Sequence, residues 1–166
     1  MNFLEQNDVV QALPPTNDLF TSSPSTKPVS LKNYDHVCFQ VEIGGGAGTG
    51  RGTITAYACD DEAGDNPVAI PFRYRSKASQ TAAWSAYSSA TASGFETAAG
   101  HNQLYGVEID ARELLQAASE SSESASKPYC FLTLTEAVSG AEYGSVTAIM
   151  SKPRYVNTVP APSVFA

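Results

Sequence analysis

Two runs of strict alternation decide what this chain can fold into. Residues 36–43 set Val37, Phe39, Val41 and Ile43 against His36, Cys38, Gln40 and Glu42, and residues 52–59 set Ile54, Ala56 and Ala58 against Thr53, Thr55, Tyr57 and Cys59. A period of two sends neighbouring side chains to opposite faces of a strand, so the first run buries one face and leaves a more polar one outside, and the second resumes the same alternation. Between them lies Gly44-Gly45-Gly46-Ala47-Gly48-Thr49-Gly50, a flexible turn, and the three pieces together predict a hairpin.

The same period returns along the chain. After a breaker at residues 60–67, Val68, Ile70, Phe72 and Tyr74 share one face of a strand, and Arg73, Arg75 and Lys77 share the other. Residues 81–94, which hold Trp84 and Tyr87, are less regular and read as one or two short strands. Residues 103–109 alternate Tyr105, Val107 and Ile109. Asp110 and Glu113 then have capping-box spacing, which predicts a short helix over residues 111–118. An acidic, serine-rich loop at 119–126 follows, and residues 127–136 and 145–150 make the final strands, joined by a turn around Gly140. About eight strands and one short helix, with no repeat of solenoid length, give an all-β chain: an antiparallel β-sandwich of jelly-roll-like type.

Both ends have a different texture. Residues 1–30 mix apolar groups with Pro14, Pro15, Pro24 and Pro28 and a Ser/Thr-rich stretch, which predicts an extended arm rather than core. Residues 156–166 run through Pro160 and Pro162 in the same manner, either folded back on the body or laid on a neighbour. The expected organisation is an arm at 1–30, a sandwich at 31–155 and a second arm at 156–166. Phe3, Leu4, Val9, Val10, Leu19 and Phe20 in the first arm, and Val164 and Phe165 in the second, are the expected partner contacts.

Composition narrows the function. Only 16% of the 166 residues are charged, so small neutral side chains must cover much of the surface, which suits contact with other proteins. The net charge is −7 and no run of Lys or Arg could track phosphates, which argues against direct nucleic-acid binding. No apolar stretch approaches the roughly 18 residues that a membrane span needs, and Glu5 and Asp8 stand where a secretory signal would be basic and then apolar. A soluble protein made in the cytoplasm is expected. Cys38, Cys59 and Cys130 lie far apart in apolar, strand-like runs and read as small buried hydrophobes.

Chemistry-bearing motifs are few. The glycine loop lacks the Lys-Ser/Thr pair of a phosphate loop and precedes a strand rather than a helix. Asp60, Asp61, Glu62 and Asp65 could offer oxygens to calcium, but their spacing fits no recognised calcium loop and a solvated turn is the plainer reading. His36 and His101 both lie beside turns, and neither G-x-S-x-G nor H-E-x-x-H occurs, so no catalytic residue, metal, cofactor or small-molecule substrate is expected. Arg73 and Arg75 flank Tyr74 on one strand face. They either pair with acids inside the domain or clamp carboxylates of a neighbouring subunit. Trp84, Tyr87 and Tyr105 would be the stacking faces if the chain were a carbohydrate-binding module.

Several phrases carry a resemblance: Leu31-Lys32-Asn33-Tyr34-Asp35-His36-Val37, Ile70-Pro71-Phe72-Arg73-Tyr74-Arg75, Val107-Glu108-Ile109-Asp110-Ala111, Lys127-Pro128-Tyr129 and Ser151-Lys152-Pro153-Arg154-Tyr155. Together they resemble a family of small tailed-phage virion proteins, over residues 31–155 and neither arm. The resemblance implies a place in a virion and brings no catalytic motif. Within a virion, a small acidic β-domain with adhesive ends is similar to capsid decoration (cement) proteins. These sit over the joints of the head, so the expected partners are a major capsid protein and further copies of the chain as dimer or trimer. A tail, neck or fibre component is the structural alternative.

Overall fold

The computed structural model describes residues 3–120 and 126–154, and the expected contacts Val164 and Phe165 lie outside them, with the whole 156–166 arm. Among the described residues the alternating runs become two antiparallel sheets. One has six strands, in the order β1 (Asp8–Thr16), β11 (Glu142–Pro153), β3 (Tyr34–Gly46), β9 (Gln103–Asp110), β6 (Phe72–Lys77) and β7 (Ser88–Ala90). The other runs β2 (Val29–Ser30), β10 (Tyr129–Val138), β4 (Arg51–Cys59) and β5 (Val68–Ile70), with β8 (Phe95–Glu96) also paired to β4. A single turn of helix, α1 (Phe3–Gln6), precedes β1, and α2 (Ala111–Glu120) follows β9.

The core lies between the sheets, where the period of two places it. Val37, Phe39 and Val41 of β3 meet Val146, Ala148 and Met150 of β11 and Val107 and Ile109 of β9, all fully buried, and the second sheet answers with Ile54, Ala56, Ala58, Leu132 and Leu134. The expected all-β sandwich is observed. The helix starts where expected: Glu113 Oε2 accepts the Asp110 N–H at 2.8 Å, the backward half of a capping box, and Ala111, Leu114 and Ala117 face the core at helical spacing.

The expected hairpin at the glycine loop is not formed. β3 and β4 stand in different sheets, so the chain arches across the sandwich. Alternation fixed which faces of these strands are buried; it did not fix their neighbours. A second crossing, from β10 to β11, packs against the first. The Ala47 N–H donates to Ala141 O at 2.8 Å and the Gly50 N–H to the buried Glu142 Oε1 at 3.0 Å. A Cβ on Gly50 would stand 2.0 Å from Gly140 O, so this approach needs glycine.

The run at residues 68–75 is likewise two strands. Pro71 has no N–H to give either ladder, and the chain passes there from β5 in one sheet to β6 in the other. Ile70 and Phe72 both stay buried because the two sheets face the same core.

The first arm needs the larger correction. Residues 8–16 are not an arm but the end strand of the six-stranded sheet, pairing Asp8 with Met150 and Val10 with Ala148. Leu19 and Phe20, expected to meet a partner, are 0% and 1% exposed. Asp18 Oδ1 accepts the N–H groups of Phe20 and Thr21 and bends the chain inward, while the Leu19 N–H donates to Glu142 O. Leu19 packs on Gly144 and Phe20 on Gly52, where a Cβ would come within 2.1 Å of the ring. The Thr26 N–H and hydroxyl then bond both backbone groups of Leu132. Proline and small polar residues marked an irregular path correctly, yet that path crosses the mouth of the core.

Phe20→Ala is therefore expected to lower the stability of the isolated chain by about 3–5 kcal/mol, the range for emptying an aromatic core site. Urea unfolding of the two proteins measures it. Equal midpoints would return Phe20 to the surface.

Candidate functional site

The outer face of the six-stranded sheet carries the expected site residues that remain exposed. Register lines up Val9, Ile149, Cys38, Glu108 and Arg73 across five strands, and then Gln11, Thr147, Gln40, Gly106 and Arg75 beside them. The face is apolar at its β1 side and cationic at its β6 side.

At the apolar side, Phe3 and Leu4 of α1 are 58% and 65% exposed and Val9 is 42% exposed, whereas Val10, on the opposite face of the strand, packs partly buried against the core. Of the six apolar groups expected to meet a partner in the first segment, Phe3, Leu4 and Val9 are exposed. β1 ends the sheet, and Pro14 and Pro15 leave its latter half poor in donors.

At the cationic side, residues 79–87 fold back over β6. The Ser85 N–H donates to Ser76 O, Ser85 Oγ accepts the Ser76 N–H, and Arg75 Nε donates to Ser85 O. This brings rings under the cations. The Arg75 guanidinium lies 4.6 Å from the Tyr87 centroid and 5.9 Å from that of Trp84, with Lys77 Nζ 5.8 Å from Trp84. Trp84 lies over Gly106: a Cβ there would stand 3.6 Å from the ring, in ordinary contact with it.

The two arginines divide. Arg73 has an acid inside the domain, Asp110 Oδ2 at 3.6 Å, whereas Arg75 and Lys77 make no ion pair among the described residues. Tyr87 donates to Glu108 Oε1, and Glu108 also faces His36 Nε2 at 3.6 Å, with His36 Nδ1 against Ser151 Oγ. Of the three aromatic groups that a carbohydrate-binding module would present, Tyr105 is withdrawn. It is buried against Phe95, and its hydroxyl donates to Gln103 while accepting the Ala98 N–H.

The acidic turn is a structural clamp. Lys127, buried, reaches Asp60 Oδ1 at 2.9 Å and Asn66 O at 2.8 Å, and Asp61 Oδ1 accepts the N–H groups of Ala63 and Asp65. The turn thereby covers a second apolar cluster, Cys59, Tyr129, Phe131 and Tyr57, on the outside of the smaller sheet. Nothing in the alternation announced Lys127 as a buried cation. Among the described residues no three His, Cys, Asp or Glu side chains gather as a metal site.

The thiols are free, with Cys59 and Cys130 buried and Cys38 half-buried. Burial, reinforced by Glu108, pushes Cys38 up to about 11, and burial with Asp61 and Asp60 pushes Cys59 up to about 12.

No family model matches the sequence, and no curated protein matches it. Among solved structures, one described as SPBc2 prophage-derived protein YomS is similar at 10% identity, covering 88% of this chain and 93% of that one, with a TM-score of 0.45. Likeness at that level leaves the function to this chain's own residues.

Two measurements follow from the ionisable groups. The Lys127 and Asn66 hydrogen bonds hold the Asp60 carboxyl below its ordinary value, so its contribution is complete above about pH 4 and lost as pH falls through the lowered value. Asp60→Asn should be less stable than the parent at pH 7 in urea unfolding, with the gap closing in acid; a gap that widens in acid would contradict the clamp. At pH 8 a thiol of pKa near 11 is ionised to roughly one part in a thousand. A colorimetric thiol reagent should therefore react slowly with the native chain and promptly in denaturant.

Proposed function

We propose that this chain is a structural virion protein of a tailed phage, a capsid decoration (cement) protein that stabilises the head by bridging capsid subunits. Its action is mechanical rather than enzymatic. The observation that carries the reading is the exposure of Phe3, Leu4 and Val9 at the side of the sheet where β1 pairs with no further strand among the described residues. Exposed apolar side chains at a sheet edge favour a protein partner, because burial removes apolar surface from water and an added segment can extend the sheet beyond the stretch that Lys27 covers by donating to Ala12 O. The resemblance of residues 31–155 to tailed-phage virion proteins supports the location.

The partners are the major capsid protein and further copies of this chain, as dimer or trimer at a symmetric site of the head. The protein is made in the host cytoplasm and ends on the capsid surface. Many equivalent sites on one lattice turn a modest affinity at each into collective stabilisation.

The test is occupancy on purified heads of the phage that encodes the chain, read by electron microscopy. The double substitution Phe3→Ser, Leu4→Ser should lower occupancy while the melting temperature stays within a few degrees, since both groups are largely in water. Tyr143→Ser, at another exposed ring, should leave occupancy unchanged. Full occupancy of the double variant would remove the trio from the interface, and density on the tail or neck would move the protein there.

A further inference from the structure

A recess of about 310 Å³ opens at the Lys77 end of the six-stranded sheet. Glu42, Lys77, Gln80 and Asn102 line it with polar groups, and Leu104 adds an apolar wall. Each feature narrows what could fit. The volume is at the low end for ligand sites and suits one ring rather than a large cofactor. The lining mixes donors (the Lys77 ammonium and the Gln80 and Asn102 amides) with acceptors (the Glu42 carboxylate and the amide oxygens). Such a mixture matches hydroxyl groups, which both donate and accept.

Trp84 lies outside the lining and adjoins the recess through Lys77, whose ammonium stands 5.8 Å from the ring centroid; at 37% exposure the indole leaves only part of its surface for the C–H face of a sugar ring. Charge makes the last selection. Lys77 and Arg75 make no ion pair among the described residues, and both are held against aromatic rings in a chain of net charge −7. Fixed, unneutralised cations favour a carboxylate. Glu42, in the same recess, disfavours a string of phosphates while remaining a good acceptor for hydroxyls.

We propose that this recess and Trp84 form a binding site for an acidic saccharide, with the ring against the indole, the hydroxyls on Glu42, Gln80 and Asn102, and the carboxylate toward Lys77 and Arg75. This site stands independently of the virion assignment. It would give the protein a second adhesive surface, away from Phe3 and Leu4.

Trp84 is the chain's one tryptophan, so its emission reports on the site directly. The full-length chain is titrated at pH 7 with trigalacturonate, with neutral galactotriose and with triglutamate, by fluorescence and by calorimetry. Trigalacturonate should shift the emission and release heat, galactotriose should bind about tenfold more weakly, and triglutamate should not bind at millimolar concentration. Lys77→Gln and Trp84→Ala should each weaken trigalacturonate by about tenfold or more in calorimetry. Gln80→Ala, on an exposed loop, should weaken it with the fold untouched, and Tyr143→Ala should change nothing. Absence of saccharide binding overturns the proposal, as does affinity indifferent to Lys77, Gln80 and Trp84. Equal affinity for galactotriose would remove the carboxylate from it. Triglutamate binding as tightly as trigalacturonate would make the surface a dock for acidic peptide and overturn the saccharide.

Discussion

The two stacked crossings between the sheets are the constraint on which the rest of the molecule depends. Where β3 passes to β4 and β10 passes to β11, the backbones meet closely enough that Gly50 and Gly140 leave no room for a side chain between them. Glu142 closes the junction by accepting the Gly50 N–H with one carboxylate oxygen, while the other is buried with no hydrogen-bond partner. Burying a carboxyl in this way costs free energy that the surrounding packing must offset. With the crossings in place, β3 is free to pair with β11 and β9, and β4 with β10 and β5, so four long strands reach their sheets through one knot of contacts.

What the sequence made legible was the facing of side chains. Every apolar position of residues 36–43 assigned to the buried face is buried, and the set Ile54, Ala56 and Ala58 is buried together, because strand alternation is local and needs no knowledge of neighbours. The capping pair Asp110 and Glu113 was readable for the same reason. Strand partnership was not. A glycine-rich link can close a hairpin or arch between sheets, and only the packing of a distant segment, here residues 139–142, selects between them. The same limit explains Leu19 and Phe20. Their neighbourhood has the composition of a loop, while their burial is decided by Gly52 and Gly144, which lie far along the chain.

The candidate surfaces were legible by residue type and not by arrangement. Arg73 and Arg75 were expected to act alike, since both point outward from one strand. Asp110 pairs with the first, and the fold-back of residues 79–87 sets Tyr87 beneath both and Trp84 beneath the second alone. That fold-back has no periodic signature; it depends on Ser85 meeting the backbone N–H and carbonyl of Ser76. Tyr105 and Trp84, similar on paper, part company because one lies on the inner face of β9 and the other on an irregular segment outside it.

The pairing of β1 with β11 joins the earliest and latest strands described, setting Asp8 beside Met150. On a ribosome, β1 emerges with its apolar flank bare and waits until β11 has been made before its ladder can form. Most contacts in the sheets are similarly long-range, a topology that slows folding and prolongs the life of incomplete species. The exposed apolar edge at Phe3, Leu4 and Val9 is thus also a region open to mispairing during synthesis, where Asp8 and the two prolines of β1 act as its safeguards.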